Sequence, residues 1–441
     1  MARIDGVLAA HRFGLGPTAT EVAGMGDDPQ GWLLAQLDGE PALPPALAAM
    51  PPVSENVVDW WSAVIISVSE LVRRIRTEYA QLWYREARAR MEVGITTDQP
   101  FRERLVWFWG NHFTCSGAKA VAIGMAGGHE RESIRPHVTG KFKDMLFAAV
   151  SHPGMLFYLD NYRSMGSNSI SGGYQNRGLN ENLAREVMEL HTLGVDGGYT
   201  QKDVREFAKM LTGWTFAYRD QKNPGEFWFR MGSHEPGPKT VLGKKYDEAG
   251  VEEALAILEL LAAHPATARH IAFKMARHFI ADDPPPAVVN RLTQVFLDTD
   301  GDLKELTRAL VMSPEAWDPA FSKLKNPQEY VVAVRRALGH SGDLDDLMQS
   351  LSSFGQSPFM ASSPAGWPDV EEAWINPDTA LRRARFSHHA VSQISATPDP
   401  QVLAAATLGD RATPEMLAML AGTDIKQGLA LLLASPLYQR R

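Results

Sequence analysis

Cys115 is the only cysteine among 441 residues, so no disulfide can form within the chain. No apolar run approaches the roughly 18 residues that a membrane-spanning helix needs. Lysine and arginine together (44) are outnumbered by aspartate and glutamate (52), the formal net charge is -8, and no basic block occurs. Nothing here indicates a nucleic-acid partner. The first six residues, Met1-Ala-Arg-Ile-Asp-Gly6, lack a basic segment followed by an apolar one. No secretory signal is read, and the expected location is cytoplasmic. There is no 20–50-residue repeat and no low-complexity run. The familiar phosphate, dinucleotide and nucleophile loops are missing as well. Gly237–Lys244 spaces its glycines one residue too far and has Lys245 where Ser or Thr belongs. Gly14-Leu-Gly16 lacks a third glycine and a preceding strand, and Gly339-His-Ser-Gly342 is too short for a nucleophile elbow.

What is present is helical. The chain is 44% hydrophobic and 22% charged, enough for a large core in one big domain or two. The periodicity predicts a mainly α protein, a large multi-helix bundle-like domain with long loops and at most a small β-hairpin. We read 1–441 as one unit, with a subdivision into 1–163 and 178–441 joined by the Ser-, Gly- and Asn-rich loop 164–177. Phe227-Trp-Phe229 and Thr240-Val-Leu242 are the segments expected to pair as the hairpin. A Pro-, Gly- and Trp-rich loop covers Ser353–Asn376, and two closing helices are expected after it.

The most informative stretch runs from Gly178 to Trp214. Asn180 or Asn182 can cap a first helix, Gly194 can end it, and Thr200 with Asp203 makes a capping box for a second. At 100° per residue, Leu183, Val187 and Leu190 form an apolar stripe. Asn182, Glu186 and Glu189 gather on a different face. Two carboxylates on one short face are costly to bury without a cation. His191 falls opposite them on the wheel and is excluded from any site they build. In 99–115, His112 shares a face with Phe101, Leu105 and Trp109 and points where those side chains point. It is read as a core histidine or, in the sharper reading, a ligand or general base facing the Glu186/Glu189 helix. His234 sits in a Pro- and Gly-braced turn that suits either a ligand or a plain surface histidine. His129–His137 contains histidine and glutamate without zincin spacing and reads as a solvated or salt-bridged face. On 251–281, His270, Lys274 and Arg277 make a cationic face, the most economical structural partner for the two glutamates.

The run from Gly178 through Leu-Asn-Glu-Asn-Leu-Ala-Arg-Glu-Val-Met-Glu-Leu-His-Thr-Leu-Gly194 to Leu-Thr-Gly-Trp214 resembles the hallmark of the bacterial family called domain of unknown function 1800. His11-Arg-Phe-Gly-Leu-Gly16, Trp109-Gly-Asn-His-Phe113, His152-Pro-Gly-Met155 and Pro364-Ala-Gly-Trp367 fit the same pattern, over essentially the whole chain. The resemblance implies an α-rich protein. It also implies a neighbour encoded beside it, often exported and similar to the alkaline phosphatase and sulfatase superfamily; a periplasmic location by co-export is then the alternative.

Two functional expectations follow. The first is an enzyme with a polar site between helices, since bundles build metal sites from carboxylates and histidines on facing helices. Glu186, Glu189 and His112 would act as catalytic groups. Glu186, Glu189, His112 and His234 would bind Fe, Mn or Zn for hydrolysis or oxidation, and Asn182, Arg185 and Trp214 would contact substrate. The second is a non-catalytic partner or maturation factor for the phosphatase/sulfatase-like neighbour, docking through aromatics near Trp228, Trp367 and Trp374.

Overall fold

The computed structural model describes residues 5–39, 42–175, 178–320, 323–339 and 342–441. Met1–Ile4 of the N-terminal stretch, Asn176 and Arg177 of the 164–177 loop, and His340 and Ser341 of the rejected elbow lie outside the described residues.

The protein is mainly α. The helical run that follows Pro52 is divided into α1 (Val53–Ile66) and α2 (Val68–Arg74). Ser67 breaks it because its extended backbone lets the hydroxyl cap α2. A π-turn, Ile75–Tyr79, leads into α3 (Ala80–Thr96). Helix α4 (Pro100–His112) starts on a proline, where a missing amide proton costs nothing. It is buried almost all round, so Phe101, Leu105 and Trp109 have no exposed surface. Its interior charges are paired, with Arg135 2.6 Å from Glu103.

Helix α5 (Asn182–Glu186) is shorter than the periodicity suggests. Its second half is a π-turn, Val187–His191, in which the Thr192 hydroxyl donates to the Val187 carbonyl at 2.7 Å. Gly194, at φ +85°, ends the segment in the left-handed conformation expected of it. Thr200 and Asp203 form the full reciprocal box on α6 (Gln201–Met210).

Among the described residues there are two small hairpins. Strand β1 (Trp214–Phe216) pairs antiparallel with β2 (Phe227–Phe229), and β3 (Lys239–Val241) with β4 (Lys244–Tyr246). Phe227–Phe229 therefore pairs with Trp214–Phe216 instead of with Thr240 and its neighbours. Leu242 and Gly243, at φ +49° and +75°, close a two-residue turn that commits Lys239–Val241 to the strand immediately after it.

Helices α7 (Val251–Ala262), α8 (Pro265–Phe279), α9 (Pro286–Asp298) and α10 (Pro327–Ala337) follow, with α8 packed along α9. Four helices close the chain where two were expected. The first, α11 (Pro377–Ser392), packs along the last, α12 (Ile425–Ala434). Asp399-Pro400 and Thr413-Pro414 start the two between them as cap-plus-proline pairs. One contiguous apolar cluster runs from Leu8 to Tyr438 and draws on both halves of the chain.

Candidate functional site

Glu186, Glu189, His112 and His234 do not converge. Glu186 and Glu189 are half-buried on the rim of α5 and its π-turn. Burial, with Glu189 adding, raises the Glu186 carboxyl above its usual range. Glu189 takes only a 3.5 Å contact from the Tyr199 hydroxyl. Among the described residues neither glutamate pairs with lysine or arginine, so the cationic face of α8 does not neutralise them. His234 is buried elsewhere: its Nε2 lies 3.0 Å from Glu253, whose other oxygen is 2.9 Å from Lys239. Its Nδ1 lies 3.1 Å from the Thr212 carbonyl. Burial would raise the Glu253 carboxyl, but hydrogen bonds from His234 and Lys239 hold it low. This is a structural knot at the base of the hairpins. Trp214 has no exposed surface and packs edge-on against Phe227 at 5.0 Å, too deep to meet a substrate. Arg185 reaches Glu181 at 3.2 Å and Gln201 at 3.0 Å, and Asn182 is exposed. Glu130 of the His129–His137 stretch is buried and ion-paired with Arg90 at 2.9 Å, so that face is salt-bridged and not solvated.

His112 leads to a real cavity. A pocket of about 480 Å³ lies between α4, the end of the π-turn, α8 and the loop 362–369. Its wall includes His112, His270, Lys274, Arg277, Asn111 and Trp367. The π-turn explains the histidines. A turn that stops irregularly leaves carbonyls without helical partners. His270 Nε2 meets the Leu190 carbonyl at 3.1 Å, and His112 Nε2 meets the His191 carbonyl at 3.1 Å. Each of those nitrogens must carry its proton to donate, so each Nδ1 keeps a lone pair. Among the described residues, His112 Nδ1 and both ring nitrogens of His191 are buried without a hydrogen-bond partner.

These rings stay neutral. Burial, then Lys274, pulls His270 down to about 4 and His191 to about 3. Burial holds His112 well below its usual value, with Lys274 and the other two histidines adding. Lys274 itself is half-buried. Burial pushes its ammonium down to about 8; Arg277 adds to this and Asp369 opposes it. Among the described residues Lys274 has no hydrogen bond and no ion pair. Arg277, one turn on, lies over Phe273 at 4.4 Å and donates to the Asp282 carbonyl at 2.9 Å.

The loop forming the far wall is fixed by Asn111. Its amide nitrogen donates to the Trp367 carbonyl at 3.0 Å, and its oxygen accepts from the Trp367 amide at 2.7 Å. Gly366, at φ +79°, makes that approach possible. A Cβ there would stand 2.5 Å from the Asn111 carbonyl oxygen. Trp374 is buried against Trp367 at 6.1 Å and donates to the Pro368 carbonyl at 2.9 Å, so it belongs to the loop and not to an exposed aromatic patch.

Behind the loop the charges are paired. Asp369 accepts from His278 Nδ1 at 2.7 Å, and Arg104 Nε donates to His278 Nε2 at 2.9 Å. With both nitrogens engaged, His278 cannot serve as a base. Burial takes it down to about 4. Glu329 joins Arg104 at 2.8 Å and Arg441 at 2.9 Å, and Lys323 joins Asp282 at 2.6 Å.

Among the described residues no three His, Cys, Asp or Glu side chains are arranged to hold a metal ion. His112, His191 and His270 stand close together, but His112 and His270 direct their Nε2 atoms to backbone carbonyls. Of the residues that make the pocket, the sequence marks His112 as a candidate ligand or base and Trp367 as a docking aromatic, and gives the others no site role. Lys274 and His270 were visible as a cationic face, and Asn111 and Trp367 stood inside the segments Trp109–Phe113 and Pro364–Trp367. What would have found the pocket is the meeting of those segments.

No curated protein and no solved structure matches the chain. Residues 8–440 match the family described as "Protein of unknown function (DUF1800)", and the chain belongs to that family.

Proposed function

We propose that the protein binds a small organic anion in the pocket between α4, α8 and the Trp367 loop. The observation that carries this reading is Lys274, a half-buried ammonium facing the cavity with no partner for its charge among the described residues. A buried charge left unpaired costs several kcal/mol, and an anion would remove that cost. Arg277 adds positive charge, Asn111 lines the same wall, and Phe108, Phe273 and Trp367 offer apolar surface to the rest of the ligand. The neutral imidazoles supply direction without competing charge. This reading keeps a polar site between helices and replaces Glu186 and Glu189 with a cation as its centre. Calorimetry with a panel of carboxylates, phosphate monoesters and sulfate esters tests it. Saturable binding to the parent, weakened at least tenfold in Lys274→Met, is the expected result. Equal binding to both proteins, or none to either, would refute it.

A second reading rests on a separate observation. At the α1–α2 break, Ile65, Ile66 and Val68 are 69%, 65% and 77% exposed, and Val72 is 40% exposed. Contiguous exposed apolar side chains mark interaction surfaces. This tip would dock the phosphatase/sulfatase-like neighbour that the family resemblance implies. Co-purification with that neighbour, abolished by Ile66→Glu/Val68→Glu, is the outcome expected; co-purification unaffected by the double change would remove the tip from the interface.

A further inference from the structure

We infer that Lys274 is a nucleophilic amine and that the pocket takes an oxo-anion, a small aldehyde or ketone that also carries a carboxylate or phosphate. This inference rests on the anion reading above and names the ligand class for the same site.

The argument is geometric first. An amine can attack a carbonyl only if it is accessible, can shed a proton, and has its lone pair free. Lys274 lines an open cavity of about 480 Å³, large enough for a ligand of a dozen or so heavy atoms. It makes no hydrogen bond that would hold its nitrogen among the described residues. Burial is the main cause of its lowered proton affinity, and the two charged groups that act on it oppose each other, Asp369 favouring the ammonium more than Arg277 disfavours it. Arg277 on its own helix repels a second positive charge. His112 from α4 and His191 from the π-turn are neutral and bring none of the negative charge that would fix an ammonium. His270, one turn back on α8, is neutral too. Asp369, from the loop, lines the same cavity with a negative charge, but it is already committed to His278 at 2.7 Å and lies 3.5 Å from Lys323. A lysine desolvated beside another cation is a recognised way to activate an amine for imine formation. The lowered proton affinity of Lys274 agrees with this arrangement.

The chemistry balances without a further reagent. The ammonium loses one proton. The Nζ lone pair forms a bond to the carbonyl carbon, the carbonyl π pair moves to oxygen, and a proton passes from nitrogen to that oxygen. The hydroxyl takes back the proton first lost, departs as water, and leaves a protonated imine. One water is released and no net proton is exchanged. Arg277 then faces the anionic end of the ligand, and Ser362 and Ser363 line the same cavity with hydroxyls that can pass protons. The cavity binds the ligand's charge and its carbonyl at once, which a simple anion-binding cleft would not need.

The test uses the full chain with glyoxylate and, separately, pyridoxal 5′-phosphate, each trapped with cyanoborohydride and located by peptide mass mapping. The expected result is one adduct per chain at Lys274, formed at least tenfold faster at pH 7.5 than at the other lysines, with the rate rising through a midpoint near pH 8. Lys274→Arg keeps the cation without the nucleophile; it should still bind acetate or phosphate but trap neither probe. Labelling of Lys274 no faster than of surface lysines would overturn the inference. If acetate or phosphate still binds saturably in that case, the anion reading survives alone; if neither binds, both fall. A Lys274→Arg protein that traps either probe as fast as the parent would also overturn it.

Discussion

The two sides of the Trp367 loop use the same kinds of residue to opposite ends. Behind it, Arg104, Arg441, His278, Glu329 and Asp369 bond to one another until no strong donor or acceptor is left to act. In front of it, Lys274, His270 and His112 face a cavity, with the ammonium unpaired among the described residues and imidazole lone pairs unused, and His191 is buried just behind them. The contrast separates architecture from a candidate site better than residue type does. Buried charge is common to both regions, while unpaired charge beside open volume belongs to one. It also corrects a natural expectation about Glu186 and Glu189. They are neither sealed by arginine nor gathered with histidines, and sit half-buried on a rim.

The comparison can be broken in several ways, from large effects to small. Glu329→Ala strands Arg104 and Arg441 in the interior. It should cost about 3–5 kcal/mol in urea unfolding, as removal of one partner of a buried pair does. A loss below about 1 kcal/mol would mean the paired side is not structural.

Acid should expose the unpaired side. His270 and His191 sit near 4 and 3 in the folded state against about 6.5 unfolded. Below pH 6.5 the unfolded chain therefore binds more protons. Stability is fully present above 6.5 and falls by about 1.4 kcal/mol per pH unit per histidine until the folded values are reached. His191→Asn should flatten the melting temperature against pH between 6.5 and 4 by one histidine's share. An unchanged slope would contradict the neutral cluster.

Gly366→Ala forces a side chain into a left-handed backbone against Asn111. We expect a loss of about 1–3 kcal/mol and weaker anion binding, read by thermal shift with and without ligand. Lys274→Met should leave stability unchanged or raise it slightly while removing binding. The smallest effect is expected on the rim: Glu186→Gln removes a like-charge neighbour of Glu189 and should change stability by no more than about 0.5 kcal/mol. A loss of several kcal/mol there would restore a buried role for the glutamates.

Much of the fold was legible. The caps at Thr200 and the left-handed Gly194, the buried face of α4 and the helices of 251–281 follow from residue chemistry and period. The site was legible only in pieces. The helical wheel assumed 100° per residue through His191, whereas the structure opens into a π-turn at Val187. That turn frees the carbonyls of Leu190 and His191, and those carbonyls explain His270 and His112. No local feature of Val187–His191 announces a π-turn. The cationic face of α8 was visible, but its partner was guessed from charge alone. Which surface it meets depends on how the 362–369 loop crosses α4, a contact more than 250 residues apart in sequence. His234 was read from a rigid turn, and its partners, Glu253 and Lys239, come from different elements.

The central claim is that Lys274 is held as a partly deprotonated, unpaired cation facing open volume. Its most direct test is the rate of Lys274 acetylation by trace acetic anhydride from pH 6 to 11, resolved by peptide mass spectrometry. The account predicts a midpoint near 8, moving upward when a saturating carboxylate is present. A midpoint at the ordinary lysine value of about 10.4, unmoved by any anion, would contradict it.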